Sequence, residues 1–437
     1  MRLCFDLLKG LLVSPTLLML TIFSPTISAA EPRALSLTEV IRLSASVAAV
    51  DLARLDAAIA QAGYGLEKST MRPQIDAVAG WARQRLYQQT DNVPYSLTPD
   101  NTVDARLRVG QALIDLEIWN RVHAAARRME AAEAATTSSL EESAAQAAAT
   151  YAALASAEAF HEVRTQDLAL AEELLTLAKA QVAAGASEGI AVTRAETRVA
   201  AAQTGLTAAD GSRRSHSIAL ARALRLDTNV SISVSERLSE TMGSSLAPTT
   251  SSEAVTSALK ARPELQVYNS VLAALEADVR AARGARLPTV DAFADAGRIG
   301  PTADDTTTTW RMGLEIRLPL LNGQSSVVDA ARLRTEQQVI LYADLRERIM
   351  AEVRTAIVTL ETGLAGLASA NNEQRLSEQE VSEARKRFAA GVAGNLEVID
   401  AQRSLATARD RVVTAMSIVV QARIGLGRAV GVATTLR

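Results

Sequence analysis

Two carboxylates, Glu397 and Asp400, stand three residues apart, a spacing that sets both on one face of a helix. Such a pair can attract cations and repel anions, or it can be an ordinary solvated acidic face. The other residue types that do chemistry are scattered. His123, His161 and His216 lie on separate stretches without partners at metal-ligand spacing, as exposed helical histidines do. The lone glycines form no phosphate-cradling loop. Cys4, the only cysteine, precedes any mature chain that starts after residue 30, so no disulfide, thiolate metal site or cysteine nucleophile is expected. These residues assemble no catalytic constellation. The expectation is a protein that is not an enzyme and carries no cofactor or metal.

The elements that would position the two carboxylates follow from composition and repetition. Only 3% of the 437 residues are aromatic, and stretches such as Ala124 to Ala159 are built of Ala, Glu, Arg, Gln and Ser with almost no Gly or Pro. That is the chemistry of long helices packed closely on one another. A formal charge of -3 offers no basic surface, so nucleic acid is not an expected partner. Residues 1–30 read as an export signal. Arg2 and Lys9 start it, Leu11 to Phe23 form its apolar stretch, and Ser28-Ala29-Ala30 supply the cleavage site. Beyond it, no run is expected to reach the roughly eighteen apolar residues of a membrane helix, so any crossing would be made by strands.

The chain repeats itself at about half its length. Arg72-Pro73-Gln74-Ile75-Asp76-Ala77 returns as Leu287-Pro288-Thr289-Val290-Asp291-Ala292, and Ala183-Ala184-Gly185 as Ala389-Ala390-Gly391. Residues 31–230 form a first repeat and 253–437 a second, joined by a Ser/Thr-rich linker at 231–252. In each, a helix of about thirty residues (Thr38 to Thr70; Glu253 to Arg286) stops before a proline. Two strands follow, at about 74–87 and 103–111 in the first copy and about 289–299 and 307–318 in the second. Val103, Ala105, Leu107 and Val109 alternate with Asp104, Arg106 and Arg108; Trp310, Met312, Leu314 and Ile316 alternate with Arg311, Gly313, Glu315 and Arg317. Period two with one apolar and one charged face places a sheet between an oily and a wet environment. The lengths suit tilted membrane-barrel strands, but four strands are too few to close a barrel, so several chains would have to share one. Trp81, Tyr87, Phe293 and Trp310 are candidates for its rims.

After each strand pair comes an uninterrupted helical stretch, Leu116 to Ala184 and Ser325 to Ala390, able to extend about 100 Å. Gly185 and Gly391 end these rods, and return helices follow at Gly189 to Leu224 and Asn395 to Gly425. Either tip is a plain helical turn or an exposed docking point.

In these features the chain resembles the TolC family of outer-membrane efflux proteins. The marks are the steps at Arg72-Pro73 and Leu287-Pro288, at Gln111-Ala112-Leu113-Ile114-Asp115 and Leu318-Pro319-Leu320-Leu321-Asn322-Gly323, and the second tip, Arg387-Phe388-Ala389-Ala390-Gly391 continuing through Leu396-Glu397-Val398-Ile399-Asp400. The resemblance implies a mainly α fold with a membrane β-barrel: a homotrimer pooling its strands in outer-membrane lipid above a periplasmic helical tunnel, with 231–252 in a belt around the middle. It implies a passive duct for small toxic compounds, fed by an inner-membrane transporter through a periplasmic adaptor (membrane fusion protein) docking near Gly185 and Gly391. It matches Glu397 and Asp400 to the carboxylates of the family's aperture. Where some members latch that aperture with a tyrosine, an arginine and an aspartate, this chain has Phe388, Ala393 and Ala191, so closure would rest on helix packing and on Arg194 reaching Asp400. Type I protein secretion is an alternative cargo class. A periplasmic coiled-coil scaffold with a soluble sheet is an alternative of another kind.

Overall fold

The computed structural model describes residues 33–85, 89–90, 93–94, 99–185, 188–240, 250–320, 323–390, 392 and 394–436. The export signal, Tyr87, Gly391, Ala393 and most of the second half of the linker lie outside them. In chain order the elements are β1 (Arg33–Leu35), α1 (Leu37–Ser44), α2 (Ala48–Ser69), β2 (Gln74–Arg85), β3 (Gln89–Thr90), β4 (Val93–Pro94), β5 (Pro99–Ile114), α3 (Leu116–Ala183) and α4 (Ile190–Ala223). There follow β6 (Ile232–Val234), α5 (Ser251–Ala261), α6 (Pro263–Gly284), β7 (Thr289–Gly300), β8 (Thr307–Arg317), α7 (Gln324–Ala389), α8 (Asn395–Val430) and a 3-10 turn, Ala433–Thr435.

The two rods run almost where expected; the thirty-residue helices do not. Each is broken. In the first, Ser44 and Ser46 turn their hydroxyls onto the carbonyls of Ile41 (2.7 Å) and Leu43 (2.9 Å), and Val47 is extended before α2 begins. In the second, Pro263 has no N–H to continue α5 and holds Arg262 out of helical geometry, at φ -64° and ψ 116°. The last helix corrects the sequence reading twice. It runs past Gly425 to Val430 and ends at Gly431 in the left-handed region, because Leu426 and Ala429 keep that last turn packed. Its span Leu396–Val430 is also long and apolar enough to cross a membrane, against expectation. Half of its apolar window is nevertheless buried against neighbouring helices, with Val412, Val419 and Val420 in the interior.

Four strands form one antiparallel sheet in the order β2-β5-β7-β8, so the two copies meet at the β5–β7 pair. Below it the helices keep the same order, α2, α3, α6, α7, since each leads into or out of its strand. Small side chains let the rods approach closely: the buried face of α3 is mainly alanine, from Ala124 to Ala178. Larger residues gather at two levels. Midway along α3, Tyr151 and Leu154 pack with Leu35, Val40, Leu220, Ile232 and Val420, where β1 pairs with β6 of the linker. Towards the tips, Leu174, Val381, Phe388, Val398 and Leu405 form a second core.

Candidate functional site

Register sorts the sheet's side chains onto two faces. Ile75, Leu107, Ala296 and Trp310 lie on one, with Trp81, Met312, Leu314 and Ile316, and the large residues among them are exposed. The other face carries a row of alternating charge across all four strands, Asp76, Arg108, Asp295 and Arg311. Asp295 is buried there although the face is open, because Arg106 (3.3 Å) and Arg311 (2.9 Å) both donate to it, and Arg106 is held in turn by Asp104 at 2.7 Å. Phe293 belongs to this charged face: its ring lies 5.3 Å from the Arg311 guanidinium and against Gly313. It is therefore not a rim aromatic, whereas Trp81 and Trp310 are on the apolar face. A cavity of about 660 Å³ opens where the charged face meets the helices, lined by Glu67, Arg72, Asp76, Arg108, Arg121 and Glu315 among others. The alternation in β5 and β8 pointed to this face; Asp295 was missed because β7 is rich in small residues and shows little contrast.

At the far end of the rods, Gly185 ends the first with φ +71°, a conformation that costs any other L-residue energy. At the second tip the N–H of Val392 donates to the carbonyl of Arg387 at 3.0 Å, closing the end of the rod. Glu397 and Asp400 are exposed on one face of α8 as the spacing requires. Each has a cation from its own hairpin, Arg387 at 3.3 Å from Glu397 and Arg403 at 3.5 Å from Asp400. Neither arginine was anticipated, though i,i+3 spacing signals the second. Arg194 is exposed on α4 and makes no ion pair among the described residues; within one chain it does not meet Asp400. Phe388 is buried against Val398 and Ala401, and its carbonyl accepts from Gln181 at 2.9 Å, which ties the second rod to the first. Ala191 is buried as well. Among the described residues no group of three or more His, Cys, Asp or Glu could hold a metal.

A duplicated strand-and-rod unit with one oily sheet face and one charged face defines a class of exit channel, and the comparisons agree. The family model described as outer membrane efflux protein matches residues 43–224 and 254–432, most of the chain, and the protein belongs to that family. It is an outer-membrane protein and not an enzyme. The pyoverdine export outer membrane protein OpmQ of Pseudomonas aeruginosa is 25% identical over 89% of this chain and 82% of its own. The toluene efflux pump outer membrane protein TtgC of Pseudomonas putida is 25% identical over 40% of this chain and 37% of its own. Among solved structures, the outer-membrane channel OprN has a TM-score of 0.80 at 19% identity, covering 90% of this chain and 89% of that one. VceC of Vibrio cholerae has 0.78 at 18%, covering 90% and 96%.

Proposed function

We propose that three copies of this chain close into one ring and serve as the passive outer-membrane duct of a tripartite efflux system for small toxic compounds. The observation that carries the ring is the pair of unfinished edges on every chain. Among the described residues, β2 and β8 each lack a neighbour on one side of the sheet. The helices beneath them carry exposed apolar residues at heptad spacing: Leu52, Ile59 and Leu66 on α2, with Leu55 between the first two, and Leu333 and Ile340 on α7. Joining one copy's β8–α7 edge to the next copy's β2–α2 edge is a head-to-tail contact, and a sheet in lipid can leave no free edge, so the copies close as a ring rather than an open filament. Two copies of four strands make eight, an interior that side chains alone fill; three make twelve, which leaves a water-filled lumen for the charged face.

Residues 31–230 and 253–437 are then the two wall repeats, with 231–252 joining them at the middle of the tunnel. Energy and direction come from an inner-membrane pump, and a periplasmic adaptor docks at the tips around Gly185 and Gly391. Small cargo is the reading favoured by relatives named for pyoverdine export and for toluene and antibiotic efflux. Glu397 and Asp400 of three chains form a cation-attracting ring at the aperture, with Arg194 of a neighbouring hairpin facing it and Phe388 fixing the tip from within. The test is extraction and mass: the protein is expected only in detergent extracts of outer membranes, as a trimer that conducts in planar bilayers. A monomer recovered without detergent would overturn the reading.

A further inference from the structure

A second cavity system lies beneath the sheet, and its two sides differ in chemistry. On one side of α6, Asp278, Ala281, Ala282 and Ala285 line a cavity of about 430 Å³ that shares Glu67 and Arg121 with the cavity on the charged face, so it belongs to the lumen. Glu276, Val279, Arg280 and Arg283 occupy the opposite face of the same helix by its 3.6-residue period. With Arg332 and Glu336 of α7 they line a separate groove of about 410 Å³, which therefore opens on the outside of the wall, just below the membrane-facing apolar surface. Both of its helices belong to one chain, and the ring contacts use the far sides of α2 and α7.

The groove is polarised. The α6 helix runs towards the sheet and α7 away from it, so Arg280, Arg283 and Arg332 stand at the membrane end and Glu276 and Glu336 one turn further off. Above the arginines, Leu318 and Leu320 are exposed and continue the even-numbered apolar run of β8. Apolar surface, then guanidinium, then carboxylate is the order in which a phosphoethanolamine lipid presents acyl chain, phosphate and ammonium. The guanidiniums match a phosphate, and the carboxylates match a cation where a purely anionic headgroup would be repelled. Among the described residues the charged groups are available: Arg280 touches Asn120 at 3.4 Å, Arg332 has Asp329 at 3.8 Å, and Arg283, Glu276 and Glu336 make no ion pair.

We infer that this groove binds the headgroup of a phosphoethanolamine lipid from the periplasmic leaflet. The inference rests on the sheet's apolar face meeting lipid. Native mass spectrometry of the detergent-purified assembled channel, offered phosphatidylethanolamine, phosphatidylglycerol or phosphatidylcholine, tests it. Wild type is expected to retain phosphatidylethanolamine in preference to the others. Arg280→Gln with Arg283→Gln and Arg332→Gln is expected to lower that retention by about tenfold or more. Glu276→Gln with Glu336→Gln is expected to keep lipid binding but shift preference to phosphatidylglycerol. Unchanged retention in the arginine variant, or an unchanged preference in the glutamate variant, overturns the site. The same spectra report subunit number, so failure of the ring is seen separately.

Discussion

The two hairpins share one plan, yet the polar layer that joins them within one chain is not repeated at the equivalent seam. Where α3 of the first hairpin packs on α8 of the second, Asp167 is buried with Arg164 (2.9 Å) and Arg409 (3.3 Å), and Arg164 reaches on to Asp410 at 2.6 Å. The residues 206 places on or back are Ala370, Glu373, Gln203 and Thr204, and Glu373 is a surface residue paired with Arg411. The charged layer therefore holds together the seam inside one chain, α3 on α8, between the equatorial core and the tip core. The equivalent helices meet no such layer among the described residues. A buried charge left alone costs far more than a surface pair is worth. Asp167→Ala should accordingly lower the stability of the helical hairpins by about 3 kcal/mol or more, and Glu373→Ala by less than about 1 kcal/mol. Chemical denaturation followed by circular dichroism would measure both; equal losses would break the comparison.

The tips differ as well, and there the second copy alone carries an acidic pair. It carries Glu397 and Asp400 where the first carries Ala191 and Arg194. Replacing Glu397 and Asp400 together by alanine should reduce cation selectivity in planar bilayers several-fold, whereas Arg194→Ala should leave selectivity nearly unchanged and raise conductance slightly. If the double variant conducts and selects like the wild type, the acidic ring has no part in gating.

Much of this was legible in the chain itself. Alternation along Val103 to Val109 and Trp310 to Ile316 gave both faces of the sheet, and the Ala-rich runs gave the rods, because period and composition are local properties. The helix break at Arg262 was missed although Pro263 announced it, having no N–H for a continuing helix and barring helical geometry at the residue before it, because the apolar pattern runs on across it. Asp167 was not singled out because burial of one carboxylate among forty-nine acidic residues depends on which helix packs across it. The β1–β6 pairing joins three-residue strands about two hundred residues apart, too short for any periodicity to show.

A smaller contrast lies within the first tip. Gly185 has φ +71°, whereas Gly189 sits in the right-handed helical region with nothing near the place of a Cβ. Gly185→Ala should destabilise the hairpin by about 1 kcal/mol, and Gly189→Ala should stabilise it by up to about 1 kcal/mol through the unfolded chain. Opposite shifts in the thermal midpoint would confirm that only the first glycine is required by the turn.

The equator supplies the subtlest difference, since the first copy places titratable groups where the second is apolar. Tyr151 and Glu158 correspond to Ile357 and Leu364. Burial, with Glu236 nearby, pushes the Tyr151 phenol up to about 12, and burial likewise raises the Glu158 carboxyl. For Tyr151 the sign follows directly. Below about pH 10 folded and unfolded chains both keep the proton; between about 10 and 12 the unfolded chain loses it first, so stability falls as pH rises through that window. Tyr151→Phe should flatten that part of the profile, and near-ultraviolet absorbance of the wild type should show one of its six tyrosines ionising late. Glu158 works the same way in the acidic range: its raised value means folding is favoured while it is protonated and weakened once it ionises, so Glu158→Gln should slightly stabilise the equator at neutral pH. A substitution at Leu364 has no such pH dependence to remove, which makes the paired measurement a direct reading of how far the two copies have diverged at their common middle.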